Sequence, residues 1–131
     1  MRSILSVVGL FSIAVLVCSA AVVLARPDEK KTVEGELIDM HCYSVGQATG
    51  EKHASCAQKC ADSGIPMGVL VDGKGWTLTT NPKPLAQYAS KNIRVTGALN
   101  QETMTIAPDK IEVNDGGDWK EIKLEDAHHK A

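Results

Sequence analysis

The sequence predicts a mainly β protein with a small α component: an OB-like Greek-key barrel of five or six strands, with one Cys/His helix inserted between strands 1 and 2. Short apolar runs with a two-residue period recur from residue 32 onward, separated by Gly, Pro, Asn and Asp. One brief helical stretch follows the third run, which is the element order of a small closed Greek-key barrel. The only long departure from β patterning lies between the first and second runs, and it carries most of the reactive side chains.

Residues 32–40 read as the first strand, with Val33, Gly35 and Leu37 on one face and Ile38 and Met40 on the other, and with the glycine easing a bend. Residues 43–50 read as a loop whose Gly46 and Gly50 let it fold back. A helix over residues 51–63 follows, with Thr49 as its N-cap and with Gly64 and Pro66 ending it. Residues 67–71 and 76–80 form a hairpin around Asp72-Gly73. Asn81-Pro82-Lys83-Pro84 stops it and leads into a short helix at 85–91, with Leu85 and Tyr88 at helical spacing.

Ile93, Val95, Gly97 and Leu99 alternate with Arg94, Thr96 and Ala98, the pattern of a strand with one solvated face. Two further strands are expected at 103–107 and 110–114, with Met104, Ile106, Ile111 and Val113 inward, and an edge strand at 119–124. The single domain is thus bounded at 32–125, after a linker at 26–31 and before a flexible tail at 126–131. His128 and His129 belong to that solvated tail. Tyr43, Trp76, Tyr88 and Trp119 are scattered through the domain, as core and rim packing would have them, rather than arranged as a base-stacking platform.

Residues 4–24 are almost wholly apolar, follow Arg2, and end in Val23-Leu24-Ala25, a small-residue cleavage pattern. Residues 1–25 therefore read as a signal peptide. The length of the apolar run also suits an uncleaved N-terminal anchor in the inner membrane, the one membrane contact expected. Either way the domain is exported, periplasmic or extracellular. Cys18 lacks the small residue expected immediately before a lipidated cysteine. Cleavage after Ala25 would leave 131 − 25 = 106 residues and remove one basic side chain, making the remainder slightly more acidic than the whole chain's −2. A mildly acidic domain without a basic patch argues against nucleic acid as a partner.

Cys42, Cys56 and Cys60 remain in the exported part. An odd number of thiols does not make a closed disulfide framework, which leaves a bridge plus a free thiol, an intermolecular bridge, or a shared thiolate site. On a helical projection with His53 at zero, Cys56 falls at about −60°, Cys60 at about −20°, and Ala57, Ala61 and Ala54 between about 40° and 100°. Glu51, Lys52, Ser55, Gln58, Lys59 and Asp62 occupy the opposite arc. The inward face thus holds cysteine, histidine and alanine but no large aliphatic residue, so packing alone is a weak reason for this helix to dock. A metal or a covalent bridge is the expected fastener.

A bridge between Cys56 and Cys60 would be strained, because i and i+4 side chains on a helix run side by side; Cys42 with either is easier. The same foldback gives Cys42, His53, Cys56 and Cys60 as a Cys3His metal set suited to zinc or to a soft ion such as copper. His41 and Met40 are further donors on the neighbouring segment, and Asp39 is placed to orient a ligating imidazole. Metal binding is favoured, for sensing, storage or delivery. A thiol redox protein and a disulfide-stapled interaction module that binds an envelope protein are the alternatives.

The motifs G-E-L-I-D-M-H-C, E-K-H-A-S-C-A-Q-K-C-A and G-I-P-M-G between Gly35 and Gly68 resemble those of small exported bacterial OB-like proteins of largely unassigned function. That group shares D-x-x-C, H-x-x-C-x-x-x-C and G-x-P, followed by a β region ending in V-T-G; here these are Asp39, Cys42, His53, Cys56, Cys60, Gly64, Pro66 and Val95-Thr96-Gly97. The resemblance implies the fold and the site together, and no activity. No C-x-x-C-H haem motif and no thioredoxin-type C-x-x-C is present. Cys56 with His53 at i, i+3 has no visible oxyanion arrangement, and Gly73 and Gly75 belong to a hairpin turn rather than a phosphate loop. The sequence leans away from an enzyme.

Overall fold

The computed structural model describes residues 30–124. The segment 1–25 expected as a signal peptide, most of the expected linker at 26–31 and the tail with His128 and His129 lie outside the described residues. The element order is β1 (Lys30–Asp39), α1 (Met40–Gly46), a 3₁₀ turn (Glu51–His53), α2 (Ala54–Asp62), β2 (Met67–Val71), β3 (Lys74–Leu78), a second 3₁₀ turn (Lys83–Tyr88), β4 (Asn92–Asn100), β5 (Thr105–Asp115) and β6 (Asp118–Ile122).

The strands form one sheet in the order β3-β2-β1-β4-β5-β6. A parallel pairing of β3 with β5, Thr77 to Thr105 and Leu78 to Ile106, closes five of them into a barrel and leaves β6 as an extra strand on β5. β1 is long enough to serve two neighbours. Residues 30–36 pair with β4, and residues 36–39 pair with β2. The changeover is at Gly35 and Glu36, where β1 presses so closely on the Leu70 carbonyl that a Cβ on Gly35 would collide with it. Alternation along the strands puts Leu37, Met67, Val69, Leu78, Ile93, Val95, Ile106, Ile111 and Val113 inside. Asp72 and Gly73 both take positive φ, 49° and 73°, as the two-residue hairpin turn between β2 and β3 requires.

Several sequence expectations change. The first half of the loop expected at 43–50 is helical, as part of α1, which starts at Met40 and ends at Gly46. The helix after it opens as a 3₁₀ turn behind Gly50 and carries no side-chain cap, so Thr49 does not cap it. The helix expected at 85–91 is the 3₁₀ turn at 83–88.

The two strands expected at 103–107 and 110–114 are the single strand β5. Pro108 falls opposite Gly97 at a register shift where β5 carries one extra residue, Asp109, between the partners of Gly97 and Thr96, and Gly97 has no Cβ to meet the Ala107 carbonyl or Pro108 Cα. A proline at such an irregularity interrupts the ladder without ending the strand. Met104, expected inward, sits instead in the turn before β5 with φ 53°, and its carbonyl accepts the Thr77 N–H at 2.9 Å. Among the described residues no helix is long and apolar enough to cross a membrane.

Candidate metal centre

The insertion between β1 and β2 folds as two short helices docked on different parts of the barrel, and the thiols meet where the helices face each other. Asp39 is the pivot. It is the last residue of β1 and the N-cap of α1, with an extended backbone (φ −84°, ψ 132°). Its Oδ1 accepts the N–H groups of His41 at 3.1 Å and Cys42 at 3.0 Å, satisfying two donors that an N-terminal turn leaves open. The D-x-x-C spacing is thus a capping geometry that sets Cys42 in the first turn of α1.

α1 is held down by two side chains one turn apart. Met40 lies over Gly68 of β2, where a Cβ would collide with its sulfur and would come within 2.6 Å of the Trp76 carbonyl oxygen. Tyr43 lies over Gly75 of β3, where a Cβ would stand 2.8 Å from Cε1, and its hydroxyl donates to the Gly73 carbonyl at 2.9 Å. The sulfur of Met40, expected as a spare donor, is therefore committed to packing on the hairpin.

α2 docks on the second 3₁₀ turn through Ala57 and Ala61, which are fully buried beside Leu85, Ala86 and Ala89. Small side chains on both partners let the backbones approach closely. The buried stripe is centred on the alanines, so the His/Cys stripe falls at its edge: His53 and Cys60 are half-buried, and Cys56 is exposed rather than inward. The segment ahead of α2 is pinned as well. The Gly50 N–H donates to the Glu36 carboxylate, and Ser90 Oγ–H donates to the Gly50 carbonyl at 2.9 Å. At the other end of α2, the Gly64 N–H reaches Ala61 O and the Ile65 N–H reaches Cys60 O, closing the helix.

These restraints bring ligand atoms of Cys42, His53 and Cys56 within 4.8 Å of one another, and likewise those of Asp39, Cys42 and Cys60. Cys42 belongs to both groups. Donors around one tetrahedral zinc stand ~3.3–3.8 Å apart for metal–ligand bonds of ~2.0–2.3 Å, so the groups need to contract by only about 1 Å. His41 lies exposed on α1 and is in neither group; Asp39 stands in the cluster instead.

Asp39 Oδ2 is 3.1 Å from His53 Nε2. Burial acts to raise the Asp39 pKa, but the Cys42 N–H, the His53 ring and the Cys42 thiol outweigh it, and the carboxyl is held below its usual range. An ionised carboxylate only accepts, so the proton of this bond sits on His53 Nε2. In the neutral ring Nδ1 then carries the free lone pair, the atom available to a cation.

The thiols feel the same charge with opposite effect. Burial, the Asp39 carboxylate and Cys56 together push the Cys42 thiol up to about 12. Burial, Asp39 and Cys56 also raise Cys60, against a smaller lowering by a hydrogen bond from Cys42. A cation bound among these soft donors would favour the thiolates that Asp39 disfavours. All three described cysteines are free thiols. Compared with known protein families, characterised proteins and solved structures, the chain matches none.

Proposed function

We propose that this chain is an exported small metal-binding protein that holds a soft or borderline metal, zinc or copper, through Cys42, His53, Cys56 and Cys60, for sensing, storage or delivery. We read it as one of the small exported bacterial OB-like proteins whose motifs it resembles. The observation that carries the proposal is the convergence of Cys42 from α1 with His53, Cys56 and Cys60 from the second helical segment, around one fully buried carboxylate. The donor types suit those metals: thiolate sulfur and imidazole nitrogen, with a carboxylate orienting the imidazole.

The second reading is a thiol redox protein or a disulfide-stapled interaction module of the cell envelope, supported by the Cys42 sulfur lying within 4.8 Å of those of Cys56 and Cys60. The raised thiols of Cys42 and Cys60 count against redox chemistry, because the thiolate is the attacking species and both groups resist forming it. Anaerobic purification followed by metal analysis of the wild type and of Cys42→Ser, Cys56→Ser and Cys60→Ser separates the two readings. Metal on the wild type that falls in each variant supports the centre. No metal above background, together with two thiols that resist alkylation until reduced, supports the bridge.

A further inference from the structure

The donors are graded from interior to solvent. Asp39 has no exposed surface; Cys42, Cys60 and His53 are half-buried; Cys56 is exposed. The two donor groups share Cys42, whereas Cys56 belongs only to the outer one, with His53. Cys42 is fixed by the Asp39 cap and His53 by the Asp39 carboxylate, while the Cys60 carbonyl accepts the Ile65 N–H in the hydrogen bonds that close α2.

Resting on the metal-binding reading above, we infer that the centre passes its ion to a thiol-bearing acceptor by associative exchange at Cys56, which assigns it to delivery rather than closed storage. An acceptor thiol approaches on the solvent side and bonds to the metal through sulfur as its proton leaves. The metal–Sγ bond to Cys56 breaks, and Cys56 Sγ takes up a proton. No electron is transferred and the metal keeps its oxidation state. Cys42, His53 and Cys60 hold the ion through this first exchange, and further acceptor thiols then replace them one at a time. Each leaving cysteine takes up a proton as the incoming thiol loses one, and His53 leaves as neutral imidazole with the incoming thiol's proton passing to solvent. The ion is never released as a free aquo ion. Soft thiolate ligands on both sides keep the exchange between like donors. Exposure of the leaving sulfur is what an incoming ligand needs, and it sets Cys56 apart from the other two thiols.

The test uses the full chain as exported, reduced and loaded anaerobically with zinc, with dithiothreitol as the acceptor and native mass spectrometry as the readout. The rate of zinc loss should rise in direct proportion to dithiothreitol, doubling when the acceptor is doubled. A parallel reaction of the zinc-loaded protein with iodoacetamide should place the first carbamidomethyl group on Cys56, with Cys42 and Cys60 protected. A transfer rate independent of dithiothreitol means that the ion dissociates first and overturns the inference while leaving the metal site intact. First alkylation at Cys42 or Cys60 overturns it as well. A chain that takes up no zinc overturns both the inference and the reading beneath it.

Discussion

Asp39 Oδ2 and His53 Nε2, 3.1 Å apart, join the end of β1 to the residue that opens α2. The same carboxylate caps α1 through its other oxygen, so one buried side chain sets the position of Cys42 and the tautomer of His53 together. Asp39→Asn keeps the shape but loses the charge and one acceptor. It should lower metal affinity by ~10–100-fold, the range for loss of such an orienting partner, as read by chelator competition. It should also cost about 1–3 kcal/mol of stability in denaturant unfolding of the metal-free protein, the range for leaving a buried polar group unsatisfied.

The metal-free protein should weaken in acid through the same residue. The folded pKa of Asp39 lies below its ordinary value of 3.8, so its contribution is fully present above about that pH and is lost as pH falls through the lower folded value. Thermal melts of wild type and Asp39→Asn across the acid range should differ near neutrality and converge as the carboxylate becomes protonated.

The thiols give the opposite sign. The Cys42 pKa rises from 9.0 to about 12 in the folded protein, so its contribution is fully present below pH 9.0 and is lost as pH climbs toward about 12. Metal-free reduced protein should therefore lose stability in that alkaline window, and Cys42→Ala should flatten the loss. Because ligating cysteines bind as thiolates, metal uptake near neutral pH should release protons and tighten as pH rises. Calorimetric titrations in buffers of different ionisation enthalpy measure that proton count; uptake without proton release would exclude thiolate ligation.

Gly75→Ala tests whether α1 depends on its seat. The new Cβ would stand 2.8 Å from Tyr43 Cε1 and 3.3 Å from Met40 Cε, so the Tyr43 ring must shift and the helix carrying Cys42 loses its fitted seat. A stability loss of about 1–3 kcal/mol is expected from overpacking. Metal affinity should fall as well, although the substitution touches no ligand. Val45→Ser on the same helix, at a residue 78% exposed, should leave stability within about 0.5 kcal/mol.

Much of this architecture was legible in the residues. Period-two alternation in β4 and the Asp-Gly turn between β2 and β3 mark those strands directly, and the projection of residues 51–63 gathers His53, Cys56 and Cys60 on one side. What escaped was structure held by tertiary contact. α1 has no apolar stripe of its own, since it is stabilised by the Asp39 cap and by Met40 and Tyr43 lying on glycines from another part of the chain. The i, i+3 spacing of Met40 and Tyr43 and the D-x-x-C capping pattern were the signals that could have found it. The break expected between residues 107 and 110 is a bulge within β5, where Asp109 is the extra residue against Thr96 and Gly97 of β4, and only the strand pairing reveals it. The exposure of Cys56 follows from where Ala57 and Ala61 dock, which a helical projection does not supply.

Native mass spectrometry of the anaerobically purified full chain, compared with its denatured mass, tests the metal centre most directly. The native mass should be heavier by one zinc or copper ion less the protons displaced, and the denatured mass should correspond to Cys42, Cys56 and Cys60 all reduced and alkylatable. A native mass with no metal after loading, or a denatured mass lower by the two hydrogens of a disulfide, would contradict the metal centre.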